Sequence, residues 1–223
     1  MTRSSPAYFL CAEGNSAVAL YKLTDPLGTP AFSSVRIPIP QWVSPGPAPQ
    51  PGGPPVLIQA AGFPLHKTVM RSGVIWTCQS VSGTAVPNHR AGIAVYKIDP
   101  EKSVAESHWI SDSSLSFYLP AIVPGASGNA VVVFAGSDTN HFPSIYHARY
   151  VASQRQFEKP VLTAAGSSSF NSKGPQQLSQ DTWGDYIDAA PDVASGSRKV
   201  WVHAELPATP TTWNVHAARI PVE

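Results

Sequence analysis

The side chains best suited to chemistry sit in short polar strings between apolar runs. Asp112 and Tyr118 bracket one string, SDTNHFP (137–143) supplies Asp138, Asn140 and His141, and DTWGDY (181–186) sets Trp183 beside Asp185 and Tyr186. His66, His89 and Arg90 add three basic groups. Such a set suits a sugar, whose apolar face stacks on a ring while its hydroxyls bond to carboxylates. The ligand-binding candidates are therefore Trp183, Asp185, Tyr186, Tyr118, Asp138, His141 and His66. Glycoside hydrolysis would ask for two carboxylates about 5–10 Å apart, one with a raised pKa. Asp185 with Asp138 or Asp112 is the pair on offer as catalytic candidates. A purely structural role competes with these: a WGDY turn can be held by its Asp accepting backbone N–H bonds, with the Trp packed beneath.

Other chemistries find no foothold. Asp138 and Asn140 could contribute to a Ca²⁺ site, but the ion takes about six to eight oxygens and the spacing matches no calcium loop. No cofactor and no metal is expected. There is no G-x-S-x-G, no Walker or dinucleotide-binding glycine pattern, and no paired Cys/His spacing for zinc. His147, His203 and His216 fall inside apolar strings and read as strand histidines rather than ligands. Cys11 and Cys78 both sit in apolar runs and read as buried free thiols, a single disulfide between neighbouring strands being the alternative.

These groups must be held by something. The chain has 223 residues, 43% hydrophobic and 13% charged, with 23 prolines and a net charge of +1. That suits one domain with a real core, residues 1–223, and gives no electrostatic case for nucleic acid or an anionic membrane. No apolar run approaches the roughly 18 residues of a membrane span. MTRSSPAYFL lacks the apolar stretch of a signal peptide, so as written nothing exports the chain and its compartment is unknown.

The apolar strings are short, rich in Val, Ile, Tyr, Phe and Trp, and separated by Gly, Pro, Ser and Asn, which predicts an all-β chain. Four of them repeat a pattern with a basic residue near the end: VALYKL (18–23), IAVYKI (93–98), IYHARY (145–150) and VHAARI (215–220). Ahead of each lies a more hydrophobic strand: YFLCAE (8–13), VIWTCQ (74–79), VVVFAG (131–136) and VWVHAE (200–205). Three pairs have a further strand before them, HKTVMR, YLPAIV and YIDAAPDV, and three have one after, FSSVRIPI, ESHWIS and EKPVLTA. A four-strand antiparallel unit repeated about four times is the signature of a β-propeller. With the strands called A to D, the chain opens on strand B of one blade and closes after strand C of the fourth. A sandwich or irregular barrel of the same hairpins is the competing architecture. The proline-rich stretch 40–55 should be an extended surface loop, and 165–182 a second, polar loop.

The strings VMRSGVIWTCQSV with AGIAVYKID, FYLPAIVPGASGNAVVVFAGSDTNHFPSIYHARY, and WGDYIDAAPDV with VWVHAEL and TTWNVHAARI resemble the C-terminal half of bacterial sialidase-like (neuraminidase-superfamily) propeller proteins. The resemblance covers residues 56–220 and, more loosely, the first 40; it implies the propeller more strongly than it implies chemistry, and it would allow an exported parent. True sialidases carry an arginine triad and an S-x-D-x-G-x-T-W turn. Here only eight arginines occur, several on the repeated strand-C position, and the nearest turn, SVSGTAVPN, lacks the Asp.

In a propeller, loops D–A and B–C gather at one end, which would bring the polar strings onto one face. The function expected is a non-catalytic recognition or interaction module binding glycan or protein there. A glycoside hydrolase-like enzyme using carboxylates on the same face is the alternative, and a fragment without independent activity a further one. Open blade edges also suggest a homodimer in which two half-propellers complete each other.

Overall fold

The computed structural model describes residues 5–56, 65–83, 90–171 and 187–223. They form four antiparallel sheets and one 3₁₀ turn, Val193–Ser195. The first sheet is β1 (Ala7–Glu13), β2 (Ala17–Thr24) and β3 (Ala31–Pro38). The second is β4 (Lys67–Arg71), β5 (Val74–Val81), β6 (Gly92–Asp99) and β7 (Val104–Ile110). The third joins β8 (Ser116–Pro124), β9 (Ala130–Ser137) and β10 (Ser144–Val151) to two short strands on one edge, β11 (Gln156–Phe157) and β12 (Val161–Ala164). The fourth is β13 (Asp188–Pro191), β14 (Lys199–Thr209) and β15 (Thr212–Pro221).

Each sheet runs in sequence order from the inside outward, as blades do, and consecutive sheets bury side chains between their faces. Val18, Leu20 and Ile37 meet Ile75, Tyr96 and Ile98 between the first two sheets. Trp76, Ile93 and Val95 meet Phe117, Val132, Phe134 and Tyr150 between the second and third. Val131, Val133 and Ile145 meet Val200, Val202 and Ile220 between the third and fourth. No comparable cluster of described residues joins the fourth sheet to the first. The propeller-type arrangement is therefore open, with three-stranded first and last sheets as the repeats predict.

The recurring basic residue has a physical reason. Lys22, Lys97 and Arg219 each lie directly across the ladder from an aromatic residue, Tyr8, Trp76 and Trp201. Their charged groups sit 5.6, 5.5 and 5.9 Å from those rings, within cation–π range. In the third sheet Arg149 faces Val131 and instead grips Glu158 with two hydrogen bonds of 3.0 and 2.7 Å.

Three expectations need correction. The string EKPVLTA does not pair along its whole length: the Glu158 N–H donates to the Arg149 carbonyl (2.8 Å), Pro160 has no N–H to give, and strand pairing resumes only at β12. Cys11 and Cys78 are both free, but only Cys78 is buried, its thiol pushed up to about 12 by that burial. Cys11 is exposed because the face of β1 that carries it has no neighbour.

The third correction is the largest. The proline-rich stretch is extended but only partly at the surface: Trp42, Ala48, Gln50 and Val56 are buried, whereas Gln41, Val43, Ser44, Gly46 and Pro47 are exposed. Val43 bridges Ser82 at the end of β5, and Ala48 bridges Val56. Gln50 Nε2 donates to the carbonyls of Pro54 and Phe170 (2.5 and 2.8 Å), and its Oε1 accepts the Phe170 N–H (2.8 Å). Prolines leave many carbonyls and few N–H groups, so side chains from the sheets supply donors. Ser137 Oγ, for example, donates to the Pro49 carbonyl at 2.7 Å. Phe170 and Asn171, at the described start of the polar loop 165–182, are also buried there.

Candidate functional site

The D–A turn before β8 and the B–C turn after β9 lie at one end of the sheets. Asp112 holds the first: its Oδ1 accepts the N–H of Ser114 (2.8 Å), the Ser114 hydroxyl (2.8 Å) and the N–H of Leu115 (3.0 Å). Asp138 holds the second: its Oδ1 accepts the N–H groups of Asn140 and His141 (both 2.7 Å) and lies 2.9 Å from His141 Nδ1. Both are Asx turns, in which a short carboxylate replaces a backbone acceptor. Burial works to raise both carboxyls. For Asp112 the donors of Leu115 and Ser114 and the charge of Arg90 outweigh it, and for Asp138 the donors of Asn140 and His141 do so. Both end below the ordinary carboxylate range and are ionised at neutral pH.

Tyr146 of β10 lies within the electrostatic reach of both turns. Burial raises its phenol, and the charges of Asp138 and Asp112 raise it further, so it stays a neutral donor near both carboxylates. Its ring packs with Phe117 (5.5 Å) and Phe134 (6.4 Å). Arg90 approaches from the second sheet because the Phe117 N–H donates to the Ala91 carbonyl at 2.9 Å. Arg90 Nε is buried and meets no acceptor among the described residues. His141 is the outward member, with 60% of its side chain exposed.

The predicted residues thus divide. Asp112, Asp138 and His141 come to one face, where the sequence did not single out Tyr146; its place inside the repeat IYHARY hid it, and its spacing after SDTNHFP is the only signal. Trp183, Asp185, Tyr186 and His89 lie outside the described residues. Tyr118 does not reach the face: it is fully buried, and its hydroxyl donates to Ser137 Oγ at 3.0 Å. His66 is half-buried deeper in, its Nε2 3.5 Å from Ser80 Oγ. As for Ca²⁺, Asp138 Oδ1 is engaged by the donors of its own turn. Among the described residues no group of three or more His, Cys, Asp or Glu converges.

Beneath the face the inner strands are locked together. Leu119 has a left-handed φ of 53°, and the register of β8 against β9 shifts between Tyr118 and Ala121. A buried non-glycine residue in that region costs about 1–3 kcal/mol and needs support. Ser80 Oγ provides it, accepting the Leu119 N–H at 2.8 Å, and the Cys78 thiol donates to the Pro120 carbonyl at 3.5 Å. Lys67 of β4 reaches to β13, where it pairs with Asp188 and donates to the Ala189 carbonyl at 2.5 Å.

No protein-family model and no curated protein matches the chain. Among solved structures it is similar to a protein of unknown function from Dyadobacter fermentans, with a TM-score of 0.47 and 11% identity, over 100% of this chain and 62% of that one. It is also similar to a GH43 endo-arabinanase from Bacillus licheniformis, with a TM-score of 0.42 and 13% identity over 98% of this chain and 69% of the other. A third is an α-L-arabinanase from Cellvibrio cellulosa complexed with arabinohexaose, with a TM-score of 0.40 and 11% identity over 98% and 71%. The chain thus spans less than two thirds of the first of these proteins. Two of the three names are arabinanases and none is a sialidase, so the sialidase-like resemblance gains nothing from them.

Proposed function

We propose that the face around Asp112, Asp138, His141, Tyr146 and Arg90 is a non-catalytic recognition surface for a glycan. The observation that supports it is the state of the two carboxylates. Each gives one oxygen to three donors of its own turn and sits below the ordinary carboxylate range. A glycosidase acid must keep its proton near neutral pH, and neither group is placed to do so. Ionised acceptors, a neutral phenol, an arginine and an exposed imidazole instead form a fixed array for hydroxyl groups. A protein loop rich in hydroxyls would meet the same array. The sialidase-like affiliation belongs to this reading, resting on the sequence strings alone. So does the homodimer, in which the bare outer faces of the first and fourth sheets would meet a second copy.

The test combines a glycan array with an aryl-glycoside panel. Binding that weakens about tenfold or more in His141→Ala, with no hydrolysis, is the expected result. Hydrolysis that disappears in Asp185→Asn would overturn the proposal in favour of a glycoside hydrolase.

A further inference from the structure

Two crevices at the opposite end of the sheets occupy corresponding places between successive blades. The first, about 250 Å³ between the first and second sheets, is lined by Lys22, Ser33, Val35 and Glu101. The second, about 280 Å³ between the second and third, is lined by Arg71, Trp76, Lys97, Ala152 and the turn from Pro124 to Gly128. Lys22 and Lys97 are the same residue of the repeat, each stacked on the aromatic ring across its ladder.

Their carboxylate partners differ. In the first crevice Glu101, from the turn after β6, accepts from Lys22 Nζ at 2.8 Å and from the Tyr8 hydroxyl at 2.5 Å. The cation, the ring and the acid close on one another. In the second, the turn after β10 presents Ala152, and no acid is among the lining residues. The nearest carboxylate to Lys97 is Glu106, at 3.9 Å. It is already engaged by Arg155 (3.0 Å) and the Tyr150 hydroxyl (3.2 Å), with His108 Nε2 2.9 Å away. The second crevice also holds an additional cation, Arg71, half-buried and with no acceptor among the described residues. Its far wall is a tight turn in which Gly128 takes a φ of 88°, and the backbone amides of Ala126, Ser127 and Gly128 have no backbone carbonyl partner among the described residues.

We infer that this second crevice binds a small organic carboxylate, which takes the place that Glu101 fills in the first. Arg71 supplies a planar fork matched to a carboxylate, Lys97 a point charge fixed over Trp76, and the glycine turn a backbone close enough to approach the ligand. At about 30 Å³ per water, the space equals about nine waters, the size class of one sugar acid. The inference is independent of the recognition face at the other end.

The test uses the intact chain and sodium D-glucuronate, with D-glucose as the uncharged counterpart, followed by calorimetry and by the Trp76 indole resonance. Glucuronate should bind and shift that resonance, and glucose should not. Arg71→Gln should weaken binding about tenfold or more, the loss expected for one charge-assisted hydrogen bond, while Lys22→Gln leaves it unchanged. Ser127→Glu, which puts a carboxylate on the crevice wall, should abolish binding while leaving the fold intact. Equal binding of glucose and glucuronate, no binding of either, or full binding by Arg71→Gln or Ser127→Glu would each overturn the inference. Melting curves of every variant separate a lost site from a lost fold.

Discussion

The middle and end sheets are built from one repeat and live in different surroundings. In the third sheet β8 and β9 are buried at every position, because each face packs on a neighbouring sheet. In the first sheet β1 alternates between half-buried and exposed over most of its length, and in the fourth β14 alternates exposed and buried through Ala204. Phe9, Phe32, Trp201 and Val215 stand on the bare faces, 47–63% exposed. Blade position, more than hydrophobicity, decides what a side chain contributes: Phe9 and Phe134 are both phenylalanines on strand B of a blade, one half open to water and one sealed.

That contrast can be broken by substitution. Phe134 is fully buried with its ring 4.8 Å from that of Phe117, and Phe134→Ala should cost about 3–5 kcal/mol in urea unfolding. A cost near 1 kcal/mol would show that the middle sheets are not the close-packed part.

Acid should probe the same contrast more gently. Burial lowers His108 and His147, both in the middle sheets, below the ordinary histidine value of 6.5. The unfolded chain then takes protons before the folded one, so their stabilisation is whole above pH 6.5 and fades as pH falls below it. A second loss should follow below the ordinary Asp value of 3.8, where Asp112 and Asp138 take up protons in the unfolded chain before they do in the folded one. Unfolding free energy measured from pH 7.5 to 5 should decline, and the double variant His108→Gln/His147→Gln should decline less. Equal slopes for the two proteins would remove the histidines from the account.

The smallest effect belongs to the ends. Phe9→Ala should change stability by no more than about 0.5 kcal/mol if its face meets only water. If a second copy covers the bare faces, light scattering at micromolar concentration should give twice the chain mass of 23.7 kDa, and Phe9→Asp with Trp201→Asp should return it to one. A wild-type mass of 23.7 kDa excludes that dimer.

Much of this architecture was legible in the sequence because hairpins are local. Apolar strings such as VIWTCQ and IAVYKI carry their pairing in their own alternation, and in three of the four repeats the basic residue marks a cross-strand stack, on Tyr8, Trp76 or Trp201. The polar turns at Asp112 and Asp138 were legible for the same reason, since an Asx turn is written within four residues. What escaped depends on distant partners. Proline content announces an extended chain and says nothing of whether Ser137 will come to meet its carbonyls. Tyr118 read as a surface group because a hydroxyl beside a turn suggests access, whereas Ser137, far along the chain, seals it. Nothing in YLP foretells a left-handed leucine, which stands only because Ser80 lies across the blade boundary.

The amide of Gln50 sets an order of events. It joins the proline-rich stretch to Phe170 across 120 residues, whereas the hairpins close over a few. Loop-closure entropy rises with the length enclosed, so a contact this distant forms efficiently only after the intervening sheets have shortened the path. By that argument the second and third sheets, with the Ser80 contact that holds the left-handed leucine, should assemble ahead of the contact between Gln50 and Phe170. The Phe170 amide should then gain protection from exchange later than the amides of β5 and β9.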